Sequence, residues 1–418
     1  MTTTTTCRSC GTGDLTLVLS LGLSPLANAL LTKEQLAQPE EKFPLDLAFC
    51  KTCSLCQITE SVPPEKMFRE YLYFSSFSDT MVKHAGAIAN RLVDEKKLGA
   101  DSLVMEIASN DGYLLQHYKK RGVPVLGIEP ARNVAKVAVE ERGIRTVTEF
   151  FGKELAETLV KNGERADVIH ANNVLAHVPD LNGVIEGVAI ALKDDGVAVI
   201  EAPYARELVD HCEFDTIYHE HLCYFSLTAL DNLMDRHALV VKDVEFLPIH
   251  GGSLRVFVSR KFALGASSKS AASRGPAVVK MLAEEAAGGV ATLTPYVALA
   301  KRVEALKTEL VRVLGKLKAE GKSVAAYGAA AKGSTLLNYF GIGADTLDFV
   351  ADRSTYKQGR YMAGVHIPIV APSELIAKQP DYCLLLTWNF ADEILAQQSE
   401  YREKGGKFII PIPEVRTV

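Results

Sequence analysis

The chain has 418 residues, 48% of them hydrophobic and 23% charged, with a formal net charge of −5. This length predicts two or three domains, and the acidic balance argues against a nucleic-acid or anionic-membrane surface. No apolar stretch approaches a bilayer span, and Met1 with its five threonines reads as a disordered leader, not a signal peptide, so a cytoplasmic protein with reduced cysteines is expected.

Residues 1–62 are turn-rich and hold five of the eight cysteines, with short strands predicted from Leu15 to Leu23 and Phe43 to Phe49. Cys7-x2-Cys10 and Cys50-x2-Cys53 are two knuckles, each able to bring two thiolates to one tetrahedral ion. Together they predict a structural four-cysteine Zn2+ site in a module too small for a core of its own. Cys56 offers a rival spacing, but its neighbours read as the next strand; Cys212, Cys223 and Cys383 sit in apolar surroundings and read as core thiols.

After Pro63-Pro64 a helix is predicted from Met81 to Val93. From Ser102 to Pro203 apolar strands at 102–108, 124–129, 143–147, 166–171 and 196–201 alternate with helices at about 112–121, 132–141, 152–162 and 181–192. That rhythm indicates a parallel sheet with crossover helices. Residues 204–265 break it and end in two alternating runs, Val240–Leu247 and Gly252–Arg260, which read as antiparallel strands added to the sheet. A helical segment covers about 276–318. A second βα series begins at Ser323, with strands at 323–327, 347–351, 382–386 and 407–411 and helices at 332–340, 372–377 and 391–404. The predicted organisation is α/β throughout: a zinc module (1–62), a Rossmann-like cofactor domain (63–265) with an insertion at about 204–265, a helical connector (266–318) and a smaller α/β domain (319–418).

The first strand of the larger sheet runs into Glu106-Ile-Ala-Ser-Asn110-Asp111-Gly112, and the second ends at Glu129. An acidic strand tip of this kind holds a ribose diol in a doubly wound sheet. The turn lacks the G-x-G-x-x-G spacing that seats a pyrophosphate, so S-adenosylmethionine is expected and NAD is not. Glu106, Asn110, Asp111 and Gly112 supply the turn, Glu129 the ribose carboxylate, Phe151 an adenine neighbour, and Asn172 lies at the same sheet edge. In the last domain, Tyr327-Gly-Ala-Ala-Ala-Lys332-Gly-Ser334 joins strand to helix and reads either as a phosphate seat with Lys332 and Ser334 or as a tightly packed turn. Asn389 occupies an equivalent edge.

The chain resembles the nucleotide-sugar C-methyltransferases of branched deoxysugar biosynthesis, such as the enzyme making the C3 branch of tetronitrose. The motifs are the paired Cys-x2-Cys, Glu-Ile-x-x-Asn-Asp-Gly at 106–112, Gly-Ile-Glu-Pro at 127–130, Asn-x-Leu-x-His-x-Pro at 173–179, Tyr-x-Glu-His at 218–221, His-Gly-Gly at 250–252 and Tyr-Gly-Ala-x-Ala-Lys at 327–332. Ala108 departs from the family's usual glycine, where crowding without loss of binding is expected, and His219 replaces an acid. The resemblance implies methylation at C3 of a 4-keto-6-deoxy sugar carried on a nucleoside diphosphate, dTDP being the expected carrier. It matches His221 to the base, Glu220 to its neighbour, and Tyr218, Tyr73 and His177 to donors for the enolate or sugar hydroxyls. Taken alone, Tyr218-His-Glu-His221 could also be a polar turn or a metal site from His219 and His221, Tyr73 a packing aromatic, and His177 a helix cap. An O- or N-methyltransferase shares every cofactor feature, an NAD-dependent oxidoreductase is the more distant alternative, and the oligomeric state stays open, a monomer included.

Overall fold

The computed structural model describes residues 2–63, 65, 74–249, 251–262 and 273–418; Tyr73 and His250 lie outside them. Near the N-terminus, β1 (Thr2–Thr3) pairs with β5 (Glu60–Ser61), while β2 (Leu15–Ser24), β3 (Phe43–Cys50) and β4 (Cys56–Ile58) form an antiparallel sheet. The threonine segment is therefore not a disordered leader: Thr3 Oγ1 donates to Glu60 at 2.6 Å, and Thr4 N–H reaches the Thr59 carbonyl at 2.8 Å. Threonine is β-branched and fits an edge strand wherever a partner is in reach.

The central sheet contains β6 (Val104–Ile107), β7 (Val125–Ile128), β8 (Thr146–Val147), β9 (Ala166–Asn172) and β10 (Leu192–Pro203). β11 (Cys223–Tyr224) leaves this sheet and pairs with β4, completing the N-terminal one; β12 (Leu239–Leu247) and β13 (Ser253–Arg260) return antiparallel beside β10. The resulting order is β12-β13-β10-β9-β6-β7-β8, with β6 to β10 parallel. Every residue of β6 is buried, as expected for a parallel strand covered on both faces. The chain steps to one side of β6 for β7 and to the other for β9. The carboxyl ends of these strands therefore flank a topological switch point, where ligands of such sheets bind.

The predicted connector is two helices, Pro276–Gly288 and Thr294–Ala319, separated at the left-handed Gly289. The second buries Tyr296, Leu299, Val303, Leu306, Leu310, Leu314 and Leu317, a 3–4 residue spacing that fixes one face inward, with Tyr296 against Phe49 at 4.8 Å. The C-terminal sheet comprises β14 (Val324–Tyr327), β15 (Val350–Ala351), β16 (Ile369–Val370), β17 (Tyr382–Leu385), β18 (Lys407–Ile410) and β19 (Arg416–Thr417), in the order β16-β15-β14-β17-β18-β19. The two-residue strands β16 and β19 are too short to carry an apolar rhythm and are missed in the sequence. The helix expected at 391–404 is broken into Ala391–Gln397 and Ser399–Glu403. No helix among the described residues is long and apolar enough to cross a membrane.

At the switch point Gly112 has φ +79°, and a Cβ there would lie 2.5 Å from Ile144 Cδ1. Left-handed geometry and a core clash act together, so Gly112→Ala should cost about 2 kcal/mol or more, read as a lower urea midpoint at unchanged slope.

Candidate active site

The metal site forms from the knuckles alone. Cys7 and Cys53 Sγ lie 3.4 Å apart, Cys10 and Cys50 Sγ 3.5 Å, and all four sulfurs fall within 4.8 Å of one another. A tetrahedron with Zn–S bonds of about 2.3 Å has edges of about 3.8 Å, so the set fits one Zn2+ and leaves it no open position. Cys56 stays outside, as its place in β4 requires. Cys50→Ser should lose stoichiometric zinc by metal analysis and destabilise the protein by about 3 kcal/mol or more.

The cofactor turn is braced by its own acidic neighbour. Glu129 accepts Asn110 N–H and Ala131 N–H, both at 2.8 Å, while Asn110 Oδ1 accepts Ser75 N–H at 2.9 Å. Asp111 is fully buried and engages Arg142 at 3.4 Å and the Ser76 hydroxyl, so it braces the turn from behind. Ala108 and Asn110 both take positive φ, 52° and 50°. Asparagine tolerates this conformation; alanine does not favour it, so a glycine would sit at Ala108 with less strain. Glu106 Oε2, Asn172 Oδ1 and Asn173 Oδ1 are buried at this edge with no hydrogen-bond partner. Burial, with Glu129, Asp111 and Glu201 nearby, raises Glu106 well above the ordinary carboxylate range. These acceptors suit the cationic amino-acid end of S-adenosylmethionine. Phe151 is 9% exposed and packs toward Gly187, its ring 3.0 Å from where a Cβ there would sit. Glu201, missed in the sequence, closes the floor: burial opposes its charge, yet His84 at 3.0 Å and Arg255 at 2.7 Å hold it below the usual range.

Residues 213–224 carry the remaining groups. His221 Nδ1–H donates to the Thr216 carbonyl at 3.0 Å, which leaves Nε2 to accept the Tyr218 hydroxyl at 2.8 Å. His177 Nδ1–H donates to the Glu220 carbonyl at 2.6 Å, and its ring meets that of His221 edge-on at 4.9 Å. Burial lowers the His177 pKa, and with Nδ1–H committed to the Glu220 carbonyl its Nε2 is the acceptor nitrogen. His219 turns away, with Nε2 on the Pro44 carbonyl at 3.1 Å. His219 and His221 thus each place a ring nitrogen on a different backbone carbonyl, and among the described residues the four cysteines are the sole group of three or more side chains arranged to hold one ion.

The C-terminal sheet faces this segment. Lys332 Nζ is buried without a hydrogen-bond partner and lies 4.9 Å over the ring of Trp388, whose Nε1–H donates to Asp215 at 2.7 Å. Trp388, the sole tryptophan, and the buried Glu213 and Asp215 are absent from the residues picked out in the sequence. Asn389 is half-buried beside Trp388. Ser334 is only 1% exposed, its hydroxyl 3.5 Å from Asn338 Nδ2, and has no surface to offer a phosphate. Asp352, after β15, accepts Ala329 N–H at 2.7 Å and Ser354 N–H at 2.8 Å.

Burial pushes Glu213 up to about 7, against the pull of Lys332. A carboxyl raised in the native state binds more protons than in the unfolded chain. Its contribution is complete below the unfolded value of 4.5 and is lost as pH rises through about 7. Glu213→Gln should therefore raise the melting temperature relative to the parent more at pH 8 than at pH 5.

Comparison with known proteins covers the whole chain. Family models match as a zinc-binding domain over residues 7–68, a methyltransferase domain over 81–243 and a C-methyltransferase C-terminal domain over 248–413. The C-methyltransferase NovU of Streptomyces niveus is 38% identical over 412 residues, 99% of this chain and 96% of NovU. The ubiquinone biosynthesis O-methyltransferase of Azorhizobium caulinodans is 27% identical over 125 residues, 29% of this chain and 47% of that enzyme. The magnesium protoporphyrin IX methyltransferase structure from Synechocystis PCC 6803 with bound SAM aligns with TM-score 0.34 and 14% identity, over 43% of this chain and 79% of its own. The NovU likeness spans 99% of this chain, and by it the chain belongs to the S-adenosylmethionine-dependent C-methyltransferases.

Proposed function

We propose that the enzyme methylates C3 of a 4-keto-6-deoxy sugar carried on a nucleoside diphosphate, with dTDP the favoured carrier. The observation that carries this reading is the Tyr218–His221 pair, 2.8 Å apart at the edge of the cofactor sheet. Carbon becomes a nucleophile here only if a base removes the proton beside the ketone while a donor holds the developing enolate oxygen. His221 Nε2, with Nδ1–H fixed on Thr216, is such a base, and the Tyr218 hydroxyl that it now accepts is such a donor. His177 and Glu220 set the sugar's orientation from the same segment. Tyr73 is assigned to this site by family resemblance alone. When bound, S-adenosylmethionine supplies an electrophilic methyl; Glu106, Asn110, Gly112, Glu129, Phe151 and Asn172 are the residues to hold it, with Asp111 bracing the turn behind them. The diphosphate goes to Lys332 and Asn389, where a buried ammonium lacks an anionic partner at hydrogen-bond distance.

In deuterated water, with S-adenosylhomocysteine in place of the donor, C3 of the correct sugar should exchange. Mass spectrometry should find that exchange abolished in His221→Ala and slowed about 10²-fold or more in Tyr218→Phe. A panel of such sugars that binds but never exchanges would sink C-methylation and favour O- or N-methylation.

A further inference from the structure

The segment that carries the proton-handling groups is gripped by the zinc module. Cys223 and Tyr224 complete the N-terminal sheet against Gln57 and Cys56, and Ile58 N–H donates to the Leu222 carbonyl at 3.0 Å. Two residues before Leu222, Asn28 Nδ2–H donates to Glu220 Oε1 at 2.6 Å, across 192 positions of sequence. The backbone carbonyl of that same Glu220 receives His177 Nδ1–H. Asn28 is exposed, and an exposed amide on a free loop would hold nothing firmly. Its loop is not free. Leu31 bridges Tyr361 of the C-terminal sheet's flank, and Glu40 accepts Gly364 N–H at 2.8 Å and pairs with His366 at 3.2 Å. The β2–β3 pairing at Ser24↔Phe43 closes its base. Tied at both ends, the loop presents Asn28 to Glu220 from a fixed frame.

We infer that Asn28 is a positioning residue of the methyl-transfer site: its amide clamps Glu220, and the clamped peptide holds His177 in the Nδ1–H tautomer beside His221. The Glu220 carboxyl has the matching character. Burial raises its pKa, and the Asn28 amide is the hydrogen-bond donor that counters the shift. This inference rests on the proposed proton-handling role of His221 and His177.

The test uses full-length zinc-loaded protein, with parent, Asn28→Ala and the isosteric Asn28→Asp compared. Both variants should keep zinc content and donor-product affinity. Their melting temperatures should stay within about 2 °C of the parent, as expected of an exposed side chain. C3 exchange turnover should fall about tenfold or more in each. In histidine-labelled 15N spectra, taken without sugar, the His177 signals should leave the pure Nδ1–H pattern. Parent-like His177 signals in both variants overturn the linkage. So does parent-like exchange turnover in both. The spectra need no substrate, so they decide the linkage even if no tested sugar exchanges, an outcome that counts against the proposed reaction instead.

Discussion

One residue carries the constraint on which the site depends. Leu222 is fully buried; its N–H donates to the Ala176 carbonyl at 2.6 Å and its C=O accepts from Ile58. The first bond ties residues 218–222 to the loop after β9, which bears His177. The second ties them to the zinc-bearing sheet. A buried backbone group without a partner costs about 1–3 kcal/mol, so neither bond can be released cheaply. Tyr218 and His221 are placed by this seam more than by contacts of their own.

Both large sheets solve the same local problem in the same way. Each turn at the carboxyl edge of these sheets needs its backbone amides held by a partner. Glu129 does this for the turn after β6, accepting one N–H from that turn and one from two residues beyond itself. Asp352 does it for the turn after β14 with the same two bonds. In each case the acid comes from the tip of the neighbouring parallel strand. Two domains without an evident shared sequence motif therefore converge on one capping geometry.

The elements legible in the sequence were those with a long apolar rhythm. β6, β7, β9, β14 and β17 lie within a residue or two of their predicted bounds because burial on both faces demands continuous apolar runs. The cysteine set was legible because two knuckles admit few other arrangements. Glu213, Asp215 and Trp388 were not, since each acts through a partner more than a hundred residues away. Asp352 could have been found: the reasoning that marks Glu129 at a strand tip applies to it unchanged. Ser334 misled because a hydroxyl near a helix start looks available, whereas the packing of the Ala331–Phe340 helix hides it.

The left-handed Ala108 sets two opposed terms against each other. Holding alanine in the left-handed region costs about 1–2 kcal/mol in the folded chain. Alanine also narrows the unfolded ensemble relative to glycine, which returns about 0.4–1 kcal/mol. The two effects oppose each other and leave a balance between about zero and about 1.6 kcal/mol. Exchange of glycine and alanine at this turn is therefore a modest change in stability, and the residue found there says little about whether the donor is bound.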